Sequence, residues 1–149
     1  MPKISSLTED QNPVFQDIAR FRGIIFDQKL KPHGVTMSQG FVLVQLWRED
    51  GLRQSEIANR IQVATVTVSK LVDRLEEGGF VERRVDSDDR RSNRIFATSK
   101  GRKLVKILTR TVYEVDDIAN TGISEQQLVD ALKVLSRMRE NLQSEIEGK

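Results

Sequence analysis

Two groups of side chains in this 149-residue chain have types and spacing suited to polyanion chemistry. The first is Thr65, Val66, Thr67, Ser69, Lys70 and Arg74. On a helix, Thr67, Lys70 and Arg74 share one face with Val66 and Ser69 beside them, so short hydroxyls and a small apolar group precede two cations. Small residues near a helix N-terminus let a backbone approach base edges closely, and the longer cations reach guanine acceptors or phosphates. The second group is Arg90, Arg91 and Arg94, together with Asp89, in a turn-rich stretch that reads DSDDRRSN from Asp86 to Asn93. Between Arg83 and Arg110 there are ten Lys or Arg against three Asp, a local net of +7 in a chain of formal net charge +2. A solvated surface mixes the two signs, whereas a segregated basic block is the footprint of a polyanionic partner such as duplex DNA.

These residues need elements to hold them. Val68, Leu71, Val72 and Leu75 repeat at three- and four-residue intervals, which predicts a helix from Thr65 to Glu77 with one buried stripe. Before it, Gln54 to Ile61 reads as a shorter helix with Ile57, Ala58 and Ile61 inward, leaving only Gln62, Val63 and Ala64 for the turn. Ala58 is small where two such helices cross. Gly78 and Gly79 end the second helix, and Phe80 to Val85 and Arg94 to Thr98 read as strands on either side of the arginine loop. The sum is a mainly α fold with a small β-wing, a winged helix-turn-helix spanning 36–101.

The flanks read as a helical region, 13–35 and 102–149. Pro13 opens a helix to about Lys31, with Val14, Ile18, Phe21 and Ile25 on one face and Pro32, His33 and Gly34 at its end. A helix from Ser38 to Glu49 and another from Ser99 to Asn120 follow the same periodicity. The last helix starts at a Ser124/Gln127 capping box, after which Leu128, Leu132, Leu135, Met138, Leu142 and Ile146 form an apolar stripe. That stripe either folds back on its own domain or meets a second subunit. The first helix is apolar as well, which favours a dimer interface carried by Val14, Ile18, Leu128, Leu135 and Leu142. Residues 1–12 are polar and aperiodic and read as a flexible arm.

Catalysis finds no constellation. His33 is the sole histidine, there is no cysteine, and neither a phosphate-binding glycine loop nor zinc-type spacing occurs. The acidic trio Asp86, Asp88 and Asp89 reads as internal ion pairing with Arg90 and Arg91 in preference to a Ca²⁺ or Mg²⁺ site. No cofactor or metal is expected. Lack of cysteine, a secretory segment or a membrane stretch points to the cytoplasm.

The phrase LVDRLEEGGFVERR from Leu71 to Arg84, followed by Asp89, Arg91 and Thr98 with Ala97 where Leu is usual, resembles the MarR family of bacterial transcriptional regulators, most nearly its SlyA-like members. The resemblance runs from about Asp17 to the last helix. It implies a homodimer that places each second helix in a major groove and each wing at the adjacent minor groove. It further implies that Arg91 enters that groove and Asp89 orients it. With recognition helices on a two-fold axis, the site is a palindrome with half-sites about 10 base pairs apart. Three positions depart from the family pattern: Arg53 replaces a Ser or Thr cap, Gln62 a turn glycine, and Gly40 a bulky aromatic. Similar regulators bind aromatic carboxylates. Gly40 either permits close helix packing or opens a cleft walled by Arg20, Arg22 and Trp47, which would suit such a ligand. The reading that competes with DNA recognition is a winged-helix protein-interaction module, which has no need of Arg90, Arg91 and Arg94 together.

Overall fold

The computed structural model describes residues 13–148, so the arm expected at 1–12 lies outside the described residues. Helix α1 (Val14–Leu30) runs into a single 3₁₀ turn (Lys31–His33) that Gly34 ends at φ 74°. Helix α2 (Met37–Arg48) starts one residue earlier than its apolar periodicity indicates, because Thr36 caps it. Thr36 Oγ1 accepts the Gln39 N–H at 3.3 Å and Gln39 Oε1 accepts the Thr36 N–H at 3.1 Å. Asp27 on α1 accepts the Met37 N–H at 2.8 Å, so the end of one helix satisfies the start of the next.

A two-residue strand, β1 (Leu52–Arg53), then leads into α3 (Gln54–Ile61), α4 (Thr65–Glu77), β2 (Val81–Val85), β3 (Asn93–Ala97) and α5 (Ser99–Ala119). The strands form one antiparallel sheet in the order β1-β3-β2, with Leu52 opposite Ile95 and Val81 opposite Ala97. These four residues are buried and face the same core as Ile57 and Ala58 of α3, Val68, Val72 and Leu75 of α4, and Val42, Leu43 and Leu46 of α2. Helix α4 ends as its glycines indicate. Gly79 is left-handed at φ 77°, and the Phe80 N–H returns to the Leu75 carbonyl at 2.9 Å.

The junction of the β3 end with α5 is tight. Thr98 donates its hydroxyl to the Gly79 carbonyl at 2.6 Å and accepts the Gly101 N–H at 3.1 Å, capping α5 while pinning it to the start of β2. A Cβ on Gly101 would lie 2.2 Å from the Phe80 carbonyl oxygen, so only glycine fits.

The chain divides into two compact units, one reaching Val115 and one from Asp116 onward. The first unit holds α1 and most of α5 together with the winged elements, so the boundary expected after residue 101 falls inside it. In the second unit the Ser124/Gln127 capping box forms as its spacing indicates, and α6 (Glu125–Glu147) follows. None of the described residues of α6 is buried.

Candidate nucleic-acid interface

Helix α4 buries Val68, Val72 and Leu75 completely, which forces the opposite face outward. Thr65, Val66, Thr67, Lys70 and Arg74 are exposed there and Ser69 is half-buried. Ala64 precedes the helix without a side-chain cap, so no side chain satisfies the first N–H groups of α4. The turn before it holds Gln62 at φ 61° and ψ 45°, the left-handed geometry for which glycine is suited. Arg53 lacks a capping oxygen, and the N-terminus of α3 is served instead by Glu56, whose Oε1 accepts the Arg53 N–H at 3.3 Å.

The wing loop between β2 and β3 is closed by hydrogen bonds within it. The Asp86 N–H donates to the Ser92 carbonyl at 3.0 Å, the Ser92 N–H to the Asp89 carbonyl at 3.1 Å, and the Arg91 N–H to Asp89 Oδ1 at 3.0 Å. Asp89 therefore meets Arg91 through the main chain, fixing the turn at the tip. The expected pairing of the acidic trio with Arg90 and Arg91 does not form. Asp86 is drawn inward to Arg53 at 2.7 Å and Arg94 at 3.3 Å, both to Oδ2. An aspartate buried to 1% exposure needs charged partners, and these two strand arginines lie closer to it than the exposed tip. Its pKa falls to about 2 because the Asp88 N–H, then Arg53 and then Arg94 bind the carboxylate, outweighing the effect of burial.

The basic block sorts into two populations. Arg83 is bound to Asp73 at 2.6 Å, Glu76 at 3.0 Å, Gln54 at 3.2 Å and the Ser69 carbonyl at 3.2 Å, tying β2 to α3 and α4. Arg84 pairs with Glu82 over the Phe96 ring, and Arg94 also donates to the Gly51 carbonyl at 2.9 Å. Lys100 and Arg102 donate to the Gly78 and Ala97 carbonyls. Arg90, Arg91, Lys103 and Lys106 of the block make no ion pair among the described residues, and neither do Lys70 and Arg74 on α4. Arg94, expected among the outward cations, thus has its guanidinium engaged within the sheet. Neither this sorting nor the role of Arg53 has a local sequence signal, since the partners are far apart in the chain.

Of the four residues expected around a ligand, two come together. Arg22 and Gly40 line a largely apolar cavity of about 410 Å³ with Phe26, Met37, Phe41, Val44 and Leu108. Arg20 instead pairs with Asp17 at 2.8 Å, and Trp47 lines a separate depression with Asp50 and Arg102. A Cβ on Gly40 would lie 3.0 Å from Leu108 Cδ2, so glycine here allows α2 and α5 to pack closely beside the cavity. Of the residues expected at a subunit interface, Val14, Ile18, Leu135 and Leu142 are exposed and Leu128 is half-buried.

A helix pair with a three-residue turn, an outward polar face on its second helix and a β-hairpin with a basic tip together define a winged helix-turn-helix protein. Residues 35–92 match the model of the MarR family. The structure is similar to that of the transcriptional regulator SlyA, with TM-score 0.78, 32% identity, and coverage of 89% of this chain and 94% of that one. It is similar to MepR of S. aureus, solved in complex with DNA, with TM-score 0.77, 32% identity and coverage of 86% and 95%. The HTH-type transcriptional regulator YybA of Bacillus subtilis is 26% identical over 130 residues, 87% of each chain. The chain belongs to the MarR family, whose members are transcriptional regulators and not enzymes. Among the described residues, no helix is long and apolar enough to cross a membrane.

Proposed function

We propose that this regulator is a cytoplasmic homodimer that binds a palindromic duplex, with α4 in the major groove and the wing tip at the minor groove. The observation that carries this reading is the sorting of the basic block. Most of its arginines are paired within the fold, while Arg90 and Arg91 remain available at the wing tip, as do Lys70 and Arg74 outside the block on the recognition helix; Lys103 and Lys106 on α5 are exposed as well. Cations left outward at two separated points suit two adjacent grooves of one duplex. The uncapped N-terminus of α4 adds N–H groups for a phosphate. Arg91 serves as the minor-groove residue and Asp89 holds the turn that presents it. Dimerisation is supported by the apolar stripe of α6, whose described residues are exposed apart from half-buried Leu128, and by exposed Val14, Ile18 and Phe21 on α1.

Selection from a random duplex pool tests this reading. The expected product is a palindrome with half-sites about 10 base pairs apart. On that duplex, Thr67→Ala and Lys70→Ala should each cost about 1–3 kcal/mol, and much less on random duplex. A pool that yields no enriched sequence would favour the protein-interaction module.

The cavity beside Gly40 supports a small aromatic effector, its ring taken up by Phe26, Phe41 and Val44, with Arg22 in the cavity wall. Millimolar salicylate-like compounds should then raise the melting temperature and lower DNA affinity. Absence of both effects leaves close helix packing as the role of Gly40.

A further inference from the structure

The strand register sets Arg53 directly opposite Arg94, and Arg94 directly opposite Arg84. Three guanidiniums in one row across a sheet repel, since like charges in directly opposed positions destabilise a strand pair. Arg84 escapes to Glu82 and the face of Phe96, 4.2 Å from the ring centre. The other two converge on Asp86, the residue after β2. Among the described residues it is the only charged side chain that is buried.

Both of its carboxylate oxygens and its main-chain N–H are committed. Oδ2 accepts from Arg53 at 2.7 Å and lies 3.3 Å from Arg94 Nε. Oδ1 accepts the Asp88 N–H at 3.0 Å, and its own N–H donates to the Ser92 carbonyl at 3.0 Å. The loop that carries Arg90 and Arg91 thus starts on a residue fixed to β3 and to the first turn of the helix pair, and closes back on it.

We propose that Asp86 is a positioning residue for DNA recognition: by joining Arg53 at the start of α3 to Arg94 on β3, it sets where the wing holds Arg90 and Arg91 relative to the recognition helix. The proposal rests on the DNA-binding reading above. Charge counting makes the opposite forecast, because loss of the carboxylate raises the net charge by one and releases two arginines near the phosphates, which should tighten binding.

The test uses the full-length protein and the duplex recovered by selection. Asp86→Asn keeps the size of the side chain and the Oδ1 acceptor while removing the charge. We expect about tenfold weaker binding, and less than a twofold effect when the same change is made in an Arg90→Ala/Arg91→Ala background, because the two sites act as one unit. Equal losses in both backgrounds, which a general loosening of the fold would give, overturn the proposal, as does tighter binding. Should Asp86→Asn fail to fold, Arg53→Gln carries the same test at a side chain 38% exposed, with the same dependence on Arg90 and Arg91 expected. If the Arg90→Ala/Arg91→Ala protein binds as well as the wild type, the fault lies with the wing-contact reading, and the positioning role falls with it.

Discussion

The division of the basic block into free and internally bound cations has a measurable thermodynamic signature. Counterion release makes the logarithm of the binding constant fall linearly with the logarithm of salt concentration, with a slope of about −0.9 for each phosphate neutralised on duplex DNA. With Arg74, Arg90 and Arg91 contributing from each of two subunits, on the order of six phosphates are neutralised and the slope is about −5. Raising salt from about 50 to 200 mM should therefore weaken binding by roughly three decades. Arg91→Ala removes one contact per subunit and should reduce the slope by about 2. Arg83→Gln should leave the slope unchanged, although both residues belong to one basic block, because the guanidinium of Arg83 is 19% exposed and bound to Asp73 and Glu76. Its affinity can still drop by a constant factor at every salt concentration, since Arg83 ties α4 to β2. Fluorescence anisotropy with a labelled duplex over a salt series reads both quantities. If Arg83→Gln reduces the slope as much as Arg91→Ala does, the sorting of these cations is wrong.

Three further expectations concern assembly and stability. Leu135→Asp or Leu142→Asp should dissociate the dimer, since an unpaired carboxylate in an apolar interface costs several kcal/mol, and a dimer still seen by light scattering in both variants would place the α6 stripe elsewhere. Gln62→Gly should stabilise the protein by about 1 kcal/mol, because Gln62 sits in the left-handed region. At fixed protein concentration that is a rise in melting temperature of roughly 2–4 °C, and a fall would show that the side chain matters more than the turn. Asp86, with its pKa lowered from 3.8 to about 2, contributes stability that is fully present above about pH 4 and is lost as pH falls through 2; acid titration of Asp86→Asn should show a shallower loss over that window.

Local periodicity makes most of the fold legible. Val68, Val72 and Leu75 are buried where their spacing puts them, and the expected helices and wing strands agree with the structure to within a residue or so at their ends. Strand β1 has only two residues, too few to show an alternation, and it exists because Leu52 and Arg53 find β3. The three-residue gap between helices shows that a turn is there, but the glutamine at 62 gives no sign that it takes the left-handed geometry suited to glycine. The fate of individual cations is not. Arg94 and Arg91 are the same residue type three positions apart, yet one is engaged beside buried Asp86 and the other stands at the tip. What separates them is strand register and Arg53, 33 residues from Asp86 in sequence. Gly40 is ambiguous for a similar reason: the neighbour that decides its packing, Leu108, lies on another helix.

The contact at Gly101 bears on how modular this regulator is. Chimeras that exchange DNA-reading heads between regulators are naturally cut where the wing ends and the long helix begins, between residues 98 and 101. In this protein that is the worst place for a seam. Thr98 is bonded to Gly79 and Gly101, and the Phe80 carbonyl leaves no room for a side chain at 101. A graft that brings any other residue there must push the first turn of α5 away from β2, displacing the hairpin it was meant to transplant. The exchangeable part is larger than the winged helix-turn-helix alone and includes α1 and α5 as far as Val115, where the first compact unit ends.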